Sequence, residues 1–335
     1  DPEMSRGLGD VYKRQTICCT AYNHEPYIRQ CLEGFVMQKA NFHFEAIVHD
    51  DASTDGTAAI IQEYAEKYPN IIKPIYETEN QYSKKNGSLA KIMNEHMHGK
   101  YIAMCEGDDY WIDPLKLQKQ VDFLEQNLDY VFCCHRYKIY DENEMVFRKE
   151  YGYDYYEKNN NLSIDNVLFL KVWVTQYCTS LFRRELYLKT YEALCRDGFN
   201  GRDVYLYYYL LKYGKGLSLN DFMAVYRWHN GGMAGCITLK QKRKVAYDIY
   251  LPLYRQHTSD IYLREKAVNS LLKYMQQCDM SLKQKWRLLM EGFDLSESFV
   301  ERIKLSISFI LPTGIFNWLY HLSEIRRNHR NLLTQ

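Results

Sequence analysis

The sequence lacks the patterns that mark several common classes of protein. None of its ten cysteines forms a CxxC pair, which argues against a zinc knuckle or a redox motif and favours buried, reduced thiols. The formal net charge is only +1 over 335 residues, so no nucleic-acid partner is expected. No apolar segment reaches the roughly 18 residues that a membrane span needs, and no signal-peptide pattern is present. These absences predict a cytoplasmic globular protein.

Two nucleotide-binding motifs are absent as well. Neither the P-loop pattern nor GxGxxG occurs in the chain. Because both motifs place Gly-rich backbone against phosphates, a nucleotide bound to this protein would need another positive group at that place. A metal ion is the expected substitute.

Short apolar runs alternate with helical patterns from Thr16 onward. This alternation is typical of an α/β protein with a Rossmann-like, mostly parallel sheet and flanking helices. The predicted strands lie near 17–20, 44–49, 71–76, 101–105 and 130–134, and the predicted helices near 26–37, 57–67, 88–96 and 114–126.

The same patterns suggest how the chain is divided. Residues 1–15 show neither strand nor helix periodicity and are interpreted as a non-native leader. The main domain is predicted over 16–236, with a nucleotide-binding half at 16–136 and an acceptor half at 137–236. A helical C-terminal extension follows at 237–335.

Three polar clusters follow predicted strands. They lie at 20–25, at 50–57 and at 106–109, after the first, second and fourth strands. In open parallel sheets, ligands bind beyond the carboxyl ends of the strands. We therefore expect the three clusters to meet at one edge of the sheet.

The third cluster is acidic, with Glu106, Asp108 and Asp109 packed into four residues. Carboxylates two residues apart suit a divalent cation such as Mg²⁺ or Mn²⁺, held against the phosphates of a substrate. The alternative is a simple strand-to-helix turn, in which Asp113 caps a helix that Pro114 begins. That alternative accounts for Asp113 and leaves the three carboxylates unexplained.

The second cluster, 50–57, allows three interpretations. Asp51, Ser53 and Asp55 match the opening of a calcium loop, but the twelfth position is Gln62 rather than a bidentate Glu. A helix start is the second interpretation, with Asp55 accepting free amides. In the third, a carboxylate at the end of the strand accepts from a nucleobase or ribose, and Tyr22 stacks on the base.

Taken together, these motifs resemble those of the family 2 glycosyltransferases, which have the A-type glycosyltransferase fold. The resemblance rests on Thr-Ala-Tyr-Asn at 20–23, Asp-Asp-Ala-Ser-Thr-Asp-Gly-Thr at 50–57 and Glu-Gly-Asp-Asp-Tyr-Trp at 106–111, and it covers about 16–230. It implies transfer of a sugar from a nucleotide-sugar donor, with inversion and with Mg²⁺ or Mn²⁺. A UDP-sugar is the expected donor. A glycan or lipid-linked acceptor in bacterial surface-polysaccharide assembly is expected.

The resemblance also assigns roles to residues. Glu106 and Asp108 correspond to the metal-binding acidic motif. The nucleoside contacts implied by position are Thr20, Tyr22, Glu25 and Asp51, with Asp50 as a secondary candidate. The residues assigned to the diphosphate or the acceptor are Asp109, Trp111, Arg227 and His229.

Inverting transfer needs a base that takes the proton of the acceptor hydroxyl. Asp203 is the candidate, because it precedes a helical run at the position where similar family members carry Glu-Asp; here Arg202 replaces the Glu. The alternative is an Asp that caps the helix. Further on, Arg227 and His229 lie in a Gly-rich stretch suited to a diphosphate, although a lone His is more often structural.

The C-terminal extension carries no catalytic pattern. Residues 307–320 mix Phe, Ile, Leu and Trp, and basic residues follow to 330. This composition suits an amphipathic helix at the inner face of the plasma membrane, and a packing helix is the alternative. No QxxRW pattern occurs, so a processive synthase is not expected. The competing functions are a nucleotidyltransferase and a non-catalytic sugar- or nucleotide-binding module.

Overall fold

The computed structural model describes residues 13–157, 160–199, 202–232, 237–276 and 280–310. The chain forms two compact units, 1–235 and 236–335, and each is described by itself. The first unit is an α/β structure and the second is helical.

One ten-stranded mixed sheet forms the centre of the first unit, in the order β3-β2-β1-β4-β9-β6-β10-β5. Strand β7 pairs with β6, and β8 pairs with β10. The strands are β1 (Lys13–Ala21), β2 (His43–Asp50), β3 (Ile72–Tyr76), β4 (Tyr101–Met104), β5 (Tyr110–Trp111), β6 (Tyr130–Asp141), β7 (Val146–Arg148), β8 (Leu162–Ile164), β9 (Leu181–Arg183) and β10 (Lys215–Trp228).

The strands β3, β2, β1 and β4 are all parallel, and β6 is parallel to β10. Strand β9 runs antiparallel between β4 and β6 and so joins the two parallel parts. The predicted Rossmann-like sheet with flanking helices is confirmed, with short antiparallel strands added on its C-terminal side.

Helices cover the sheet because each has one apolar face. In the first, Ile28, Cys31, Leu32 and Phe35 are fully buried, and this i, i+3, i+4, i+7 spacing forms one face of a helix. The helices of this unit are α1 (Ile28–Val36), α2 (Thr57–Lys67), α3 (Ser88–His96), α4 (Lys116–Gln126), α5 (Tyr153–Tyr156), α6 (Asn166–Lys171), α7 (Arg184–Arg196) and α8 (Asp203–Leu210).

Several predicted boundaries were wrong, and the largest difference is that β6 runs to Asp141 rather than to about 134. Strand β1 begins at Lys13 rather than Thr16, because Gln15 pairs with both neighbouring strands and is fully buried despite its polar side chain. Helix α4 begins at Lys116, and Asp113 does not cap it. The Asp113 carboxylate instead accepts the amide of Leu115 in the turn before the helix.

Helix α4 places a lysine in the core of this unit. The Lys116 side chain is fully buried, with Nζ 2.7 Å from Gln120 Oε1 and 4.0 Å from the centre of the Trp111 ring. Burial lowers the pKa of Lys116 from 10.5 to about 8. At neutral pH the folded chain therefore carries a charge that is costly to bury.

We expect Lys116→Met to raise the free energy of unfolding at pH 7 by about 2 kcal/mol, less than the roughly 3 kcal/mol that the pKa shift implies, because Gln120 loses its donor. Between the folded pKa of about 8 and the unfolded value near 10.4, the unfolded state binds more protons. Wild-type stability therefore rises with pH in that window, and the advantage of the variant disappears by about pH 10.5.

Urea unfolding at several pH values measures this difference. Lys119→Met is the control, because Lys119 lies on the same helix but forms ion pairs with Asp113 and Asp221 at the surface. The control should show no increase in the free energy of unfolding that decreases as the pH rises. A Lys116→Met variant that is less stable than wild type at pH 7 would mean that the contacts of the ammonium outweigh its desolvation.

The second unit contains four helices in its described part, which confirms the predicted helical extension. They are α9 (Leu239–Gln256), α10 (Ile261–Met275), α11 (Leu282–Leu295) and α12 (Phe299–Ile310). The side chains of Thr238, Asp260 and Ser281 accept amides at the starts of α9, α10 and α11. A small apolar core holds the helices together: Val268, Leu271, Leu272, Met275, Leu288, Leu289 and Leu305.

None of the helices in the described ranges is long and apolar enough to span a membrane. The predicted amphipathic segment at 307–320 and the basic residues after it fall largely at 311–335, outside the described residues.

Candidate active site

The strand order reverses between β1 and β4, and ligands bind at such a switch point in open parallel sheets. Two backbone hydrogen bonds join the ends of these two strands: Cys105 N donates to Cys18 O at 3.1 Å, and Gly107 N donates to Thr20 O at 2.9 Å. A Cβ on Gly107 would lie 2.9 Å from His24 Nδ1, so only glycine fits there. The acidic loop therefore packs tightly against the loop after β1.

The loops after β1 and β2 interlock. Asn23 has a positive φ of 54°, donates its amide to Ser53 Oγ and accepts the amide of Thr54. The Glu25 carboxylate accepts the amide of Gly56 at 2.9 Å, and Asp55 accepts the amide and the hydroxyl of Thr57. Glu25 and Asp55 therefore hold the start of α2, which supports the helix-start interpretation of residues 53–57.

Asp50 and Asp51 have different surroundings. The Asp51 carboxylate is buried and accepts two backbone amides, from Gln81 at 2.6 Å and from Tyr82 at 3.0 Å. Asp50 accepts only the amide of Ser53, at 3.3 Å, and its Oδ1 has no hydrogen-bond partner among the described residues. Asp50 therefore has a buried carboxylate oxygen that lacks a partner in the described part of the chain, whereas both oxygens of Asp51 are used by the loop at 81–82.

Two exposed tyrosines lie at the ends of the strands on either side of Asp50. Tyr22 is 45% exposed, and Tyr76 is 43% exposed at the end of β3. In the sheet, Asp50 pairs with Ala21 of β1 on one side and with Tyr76 of β3 on the other. Tyr22 is the residue directly after Ala21, so a tyrosine lies on each side of Asp50. The sequence analysis missed Tyr76. Its position as the last residue of a strand at the same edge was the signal that could have found it.

The predicted acidic cluster comes together. Glu106, Asp108 and Asp109 each present an oxygen, and these oxygens lie within 4.8 Å of one another. Burial and the charges of Asp108 and Asp203 raise the pKa of Glu106 to about 8. Within the described residues, Asp108 Oδ1 and Asp109 Oδ2 are buried without hydrogen-bond partners. Buried, mutually repelling carboxylate oxygens fit a hard divalent cation.

Asp108 lies between two histidines that come from distant parts of the chain. His229 Nε2 is 3.1 Å from Asp108 Oδ2, and His24 Nε2 is 3.9 Å from the same oxygen. Burial lowers the pKa of His24, so its imidazole is largely neutral at pH 7. The sequence analysis proposed His229 and missed His24, because nothing in the spacing brings residue 24 to residue 108.

Arg227 is used mainly within the protein. Its guanidinium lies over the rings of Tyr27 and Tyr110, at 5.1 and 4.5 Å from their centres, and its Nε is 3.0 Å from Glu142 Oε1. It also donates to the Asp108 carbonyl oxygen at 2.8 Å and to Gln30 Oε1. The side chain is 6% exposed. It therefore fixes the acidic loop against β10, whatever contact it makes with a diphosphate.

The backbone of Arg227 has a second role in the same place. Its amide donates to Asp109 Oδ1 at 2.8 Å, and Asp109 is 1% exposed. Burial raises the pKa of Asp109 well above its ordinary range. Asp109 therefore lies beneath the site and connects the acidic loop to the end of β10.

Trp111 lies in the core, which corrects its assignment to the diphosphate or the acceptor. It is 2% exposed, its indole N–H donates to the Cys178 carbonyl oxygen at 2.8 Å, and its ring packs edge-on against Phe35. A Trp on a two-residue strand between β10 and α1 has no side open to a ligand. The motif gave its place in the chain but not the direction of its side chain.

Asp203 is the first residue of α8, and its charge acts on Glu106 across the site. Its Oδ1 accepts the amide of Val204, and Arg202 occupies the N-cap position without a side-chain cap. Burial raises the pKa of Asp203 above its ordinary value. Asp203 is therefore partly buried at the start of α8, accepts a helix amide, and is close enough to the acidic cluster for its charge to raise the pKa of Glu106.

Comparisons with known proteins agree with this geometry. The sequence model of the family described as Glycosyl transferase family 2 matches residues 16–190. The uncharacterized protein Rv1520 of Mycobacterium tuberculosis is 35% identical over 218 residues, which is 65% of this chain and 60% of that protein. The chain therefore spans less than two thirds of the length of the first relatives that it matches.

Two further proteins are similar over part of the sequence or in fold. The putative teichuronic acid biosynthesis glycosyltransferase TuaG of Bacillus subtilis is 34% identical over 111 residues, 32% of this chain and 41% of that protein. The crystal structure of S. aureus TarS 1–349 in complex with UDP superposes with a TM-score of 0.56 at 16% identity, covering 88% of this chain and 91% of that one. With a family match over more than half of its length, the chain belongs to glycosyl transferase family 2.

Proposed function

We propose that the protein is a metal-dependent, inverting glycosyltransferase that moves one sugar from a UDP-sugar to a glycan or lipid-linked acceptor of a bacterial cell-surface polysaccharide. The observation that carries this proposal is the acidic cluster of Glu106, Asp108 and Asp109 at the switch point of the sheet, close enough to Asp203 for the charge of Asp203 to raise the pKa of Glu106. Such a site can hold a cation for a diphosphate and a separate carboxylate for an acceptor hydroxyl.

Asp108 and Glu106 would hold Mg²⁺ or Mn²⁺. Once bound, the cation would supply positive charge to the diphosphate as it leaves. The raised pKa of Glu106 fits this role, because Glu106 is hard to ionise beside Asp108 unless positive charge is added. His229 holds the Asp108 carboxylate in place through its 3.1 Å contact. Asp109 supports the loop from below through the amide of Arg227.

Asp203 would act as the base. In an inverting transfer the acceptor oxygen attacks the sugar carbon as the bond from that carbon to the diphosphate breaks, and the hydroxyl proton passes to the base. Burial raises the pKa of Asp203, which makes the ionised carboxylate a stronger acceptor of this proton. Its start-of-helix position holds the carboxylate on a rigid element beside the acidic cluster.

The nucleoside would bind at the ends of β1, β2 and β3. Asp50 would accept from the base or the ribose through its unpartnered Oδ1, and Tyr22 and Tyr76 would present their rings to the base. Thr20 lies half-buried one residue before the end of β1. Glu25 and Asp51 would support this site by holding the loops that form it.

The acceptor and the place of action are inferred from the relatives. TuaG carries the name of a teichuronic acid biosynthesis enzyme, and the similarity over 111 residues supports a cell-wall polymer or its lipid-linked precursor as acceptor. Enzymes that use cytoplasmic nucleotide-sugars act where the donor is available, so we place this protein in the cytoplasm at the inner face of the plasma membrane.

The decisive test is a product analysis with UDP-sugars, Mn²⁺ and a panel of wall-polymer and lipid-linked acceptors. Transfer predicts UDP as the nucleotide product, formed only with acceptor and metal, and NMR should show the inverted linkage. Formation of a UDP-sugar and pyrophosphate from UTP and a sugar 1-phosphate, without transfer to any acceptor, would instead indicate a nucleotidyltransferase. Donor binding without any acceptor-dependent product would indicate a binding module.

The contrast between Asp50 and Asp51 gives a second test. Asp50→Asn should weaken UDP binding about tenfold with little change in stability, because the charged acceptor that is lost makes one long hydrogen bond within the described residues, at 3.3 Å to Ser53 N. Asp51→Asn should instead lower the free energy of unfolding by about 2 kcal/mol, because its amide group cannot accept the amides of both Gln81 and Tyr82.

Calorimetry with UDP and urea unfolding separate the two effects. Asp122→Asn on the outer face of α4 is the control and should change neither value. Equal losses of UDP affinity in the Asp50 and Asp51 variants, with no loss of stability in either, would contradict the division of roles.

A further inference from the structure

The second unit exposes a row of large apolar side chains. On α11 they recur every four residues, at Leu282, Trp286 and Met290, which are 76%, 57% and 44% exposed. On α12 they are Ile303, Ile307 and Ile310, which are 41%, 37% and 74% exposed. Residues three or four apart lie on one face of a helix, so each helix presents a continuous apolar stripe to solvent.

Helices α11 and α12 pack against each other, and the α11 stripe touches α12 through Trp286. The Trp286 ring meets the Phe309 ring edge-on at 5.8 Å. The core of the unit uses other positions of the same helices, namely Leu288, Leu289 and Leu305. The six exposed side chains, which we call the α11–α12 face, are therefore surplus to the core that holds these helices.

Charges around this face are sorted by sign. Two carboxylates of these helices are used within the unit: Glu291 accepts from Tyr247 and pairs with Arg255, and Glu301 pairs with Arg264. Asp294 is the exception, since it is exposed and forms no ion pair with a described residue.

Cations remain on the outer side. Lys283, Arg287 and Lys304 each follow a stripe residue directly, about 100° further round the helix, and none forms an ion pair within the described part of the chain. An apolar stripe with a Trp and flanking Lys and Arg matches helices that lie in a membrane interface. Protein–protein interfaces, in contrast, are depleted in Lys.

We propose that the α11–α12 face is a docking surface for an anionic lipid bilayer. The apolar side chains would enter the headgroup boundary, and the three flanking cations would contact anionic headgroups. The proposal concerns only the second unit, and it stands or falls separately from the transfer reaction proposed above.

Flotation of the full chain with lipid vesicles tests it. Wild type should bind vesicles of phosphatidylcholine with about one third phosphatidylglycerol at least about tenfold more tightly than pure phosphatidylcholine vesicles, and added salt should weaken this binding. The double variant Trp286→Glu/Ile307→Glu should lose binding to both. The triple variant Lys283→Gln/Arg287→Gln/Lys304→Gln should lose the preference for the anionic lipid.

Matched controls keep the result interpretable. Leu128→Glu changes an 80% exposed apolar residue of the first unit and should leave flotation unchanged. All variants should keep wild-type UDP binding and a cooperative thermal transition, which excludes misfolding. The proposal is overturned if wild type binds neither kind of vesicle, or if the double variant binds as wild type does. It is also overturned if light scattering shows a dimer that the double variant breaks without any vesicle binding.

Discussion

Asp203→Asn is expected to lower kcat about a thousandfold while leaving the affinity for UDP and Mn²⁺ within about twofold. The change keeps the shape of the side chain and removes its ability to take a proton. Because burial raises the pKa of Asp203, wild-type kcat should fall as the pH drops through a value above the ordinary range of an aspartic acid. That acid limb should be missing in the residual activity of the variant.

The control for this prediction is another Asp at the start of a helix. Asp165 caps α6 by accepting the amide of Leu168 at 2.8 Å, and Asn caps a helix about as well as Asp. Asp165→Asn should therefore keep both stability and kcat. If Asp203→Asn also kept its activity, Asp203 would be only a structural residue of α8 and the base would have to be sought elsewhere.

Asp108→Asn is expected to remove the metal-dependent part of UDP binding, a loss of about a hundredfold in affinity with Mn²⁺ present. Asp108 presents an oxygen within 4.8 Å of those of its two acidic neighbours, and its Oδ1 is buried without a hydrogen-bond partner among the described residues. Losing its charge leaves Glu106 as the one carboxylate of the proposed metal pair. UDP binding measured without metal should change little.

Calorimetric titration of the variant with UDP, with and without Mn²⁺, checks this. Asp113→Asn serves as the control, because Asp113 is an acidic residue only four positions beyond the cluster and pairs with Lys119 at the surface. It should bind UDP and Mn²⁺ as wild type does. Wild-type affinity of Asp108→Asn in the presence of Mn²⁺ would show that the cation, if any, is held elsewhere.

The parallel part of the fold could be predicted because its strands are apolar runs followed by amphipathic helices. Helix α3 has the bounds that the pattern indicated, Ser88–His96. The strands β5, β8 and β9 could not be predicted in the same way, since they are two or three residues long. Their strand conformation depends on pairing with distant parts of the chain, such as Leu181 with both Ala103 and Cys133.

The candidate site was likewise predictable from the sequence only in part. The carboxyl ends of parallel strands share one edge of the sheet, and this predicted that Glu106 and Asp108 would lie near the ends of β1 and β2. The direction of each side chain did not follow, and so Trp111 was placed at the ligand although it lies in the core. The use of Asp51 by the loop at 81–82 and the approach of His24 to Asp108 depend on contacts between residues 30 to 84 positions apart, which no motif records.

The most direct test of the account is calorimetric titration of the wild-type chain with UDP, GDP and CDP, each with and without Mn²⁺. The account predicts tight binding of UDP that requires the metal, because the described site offers carboxylates rather than a Gly-rich phosphate cradle. GDP and CDP should bind more weakly. Absence of metal-dependent binding for all three nucleotides would contradict the proposed mechanism and leave only the fold.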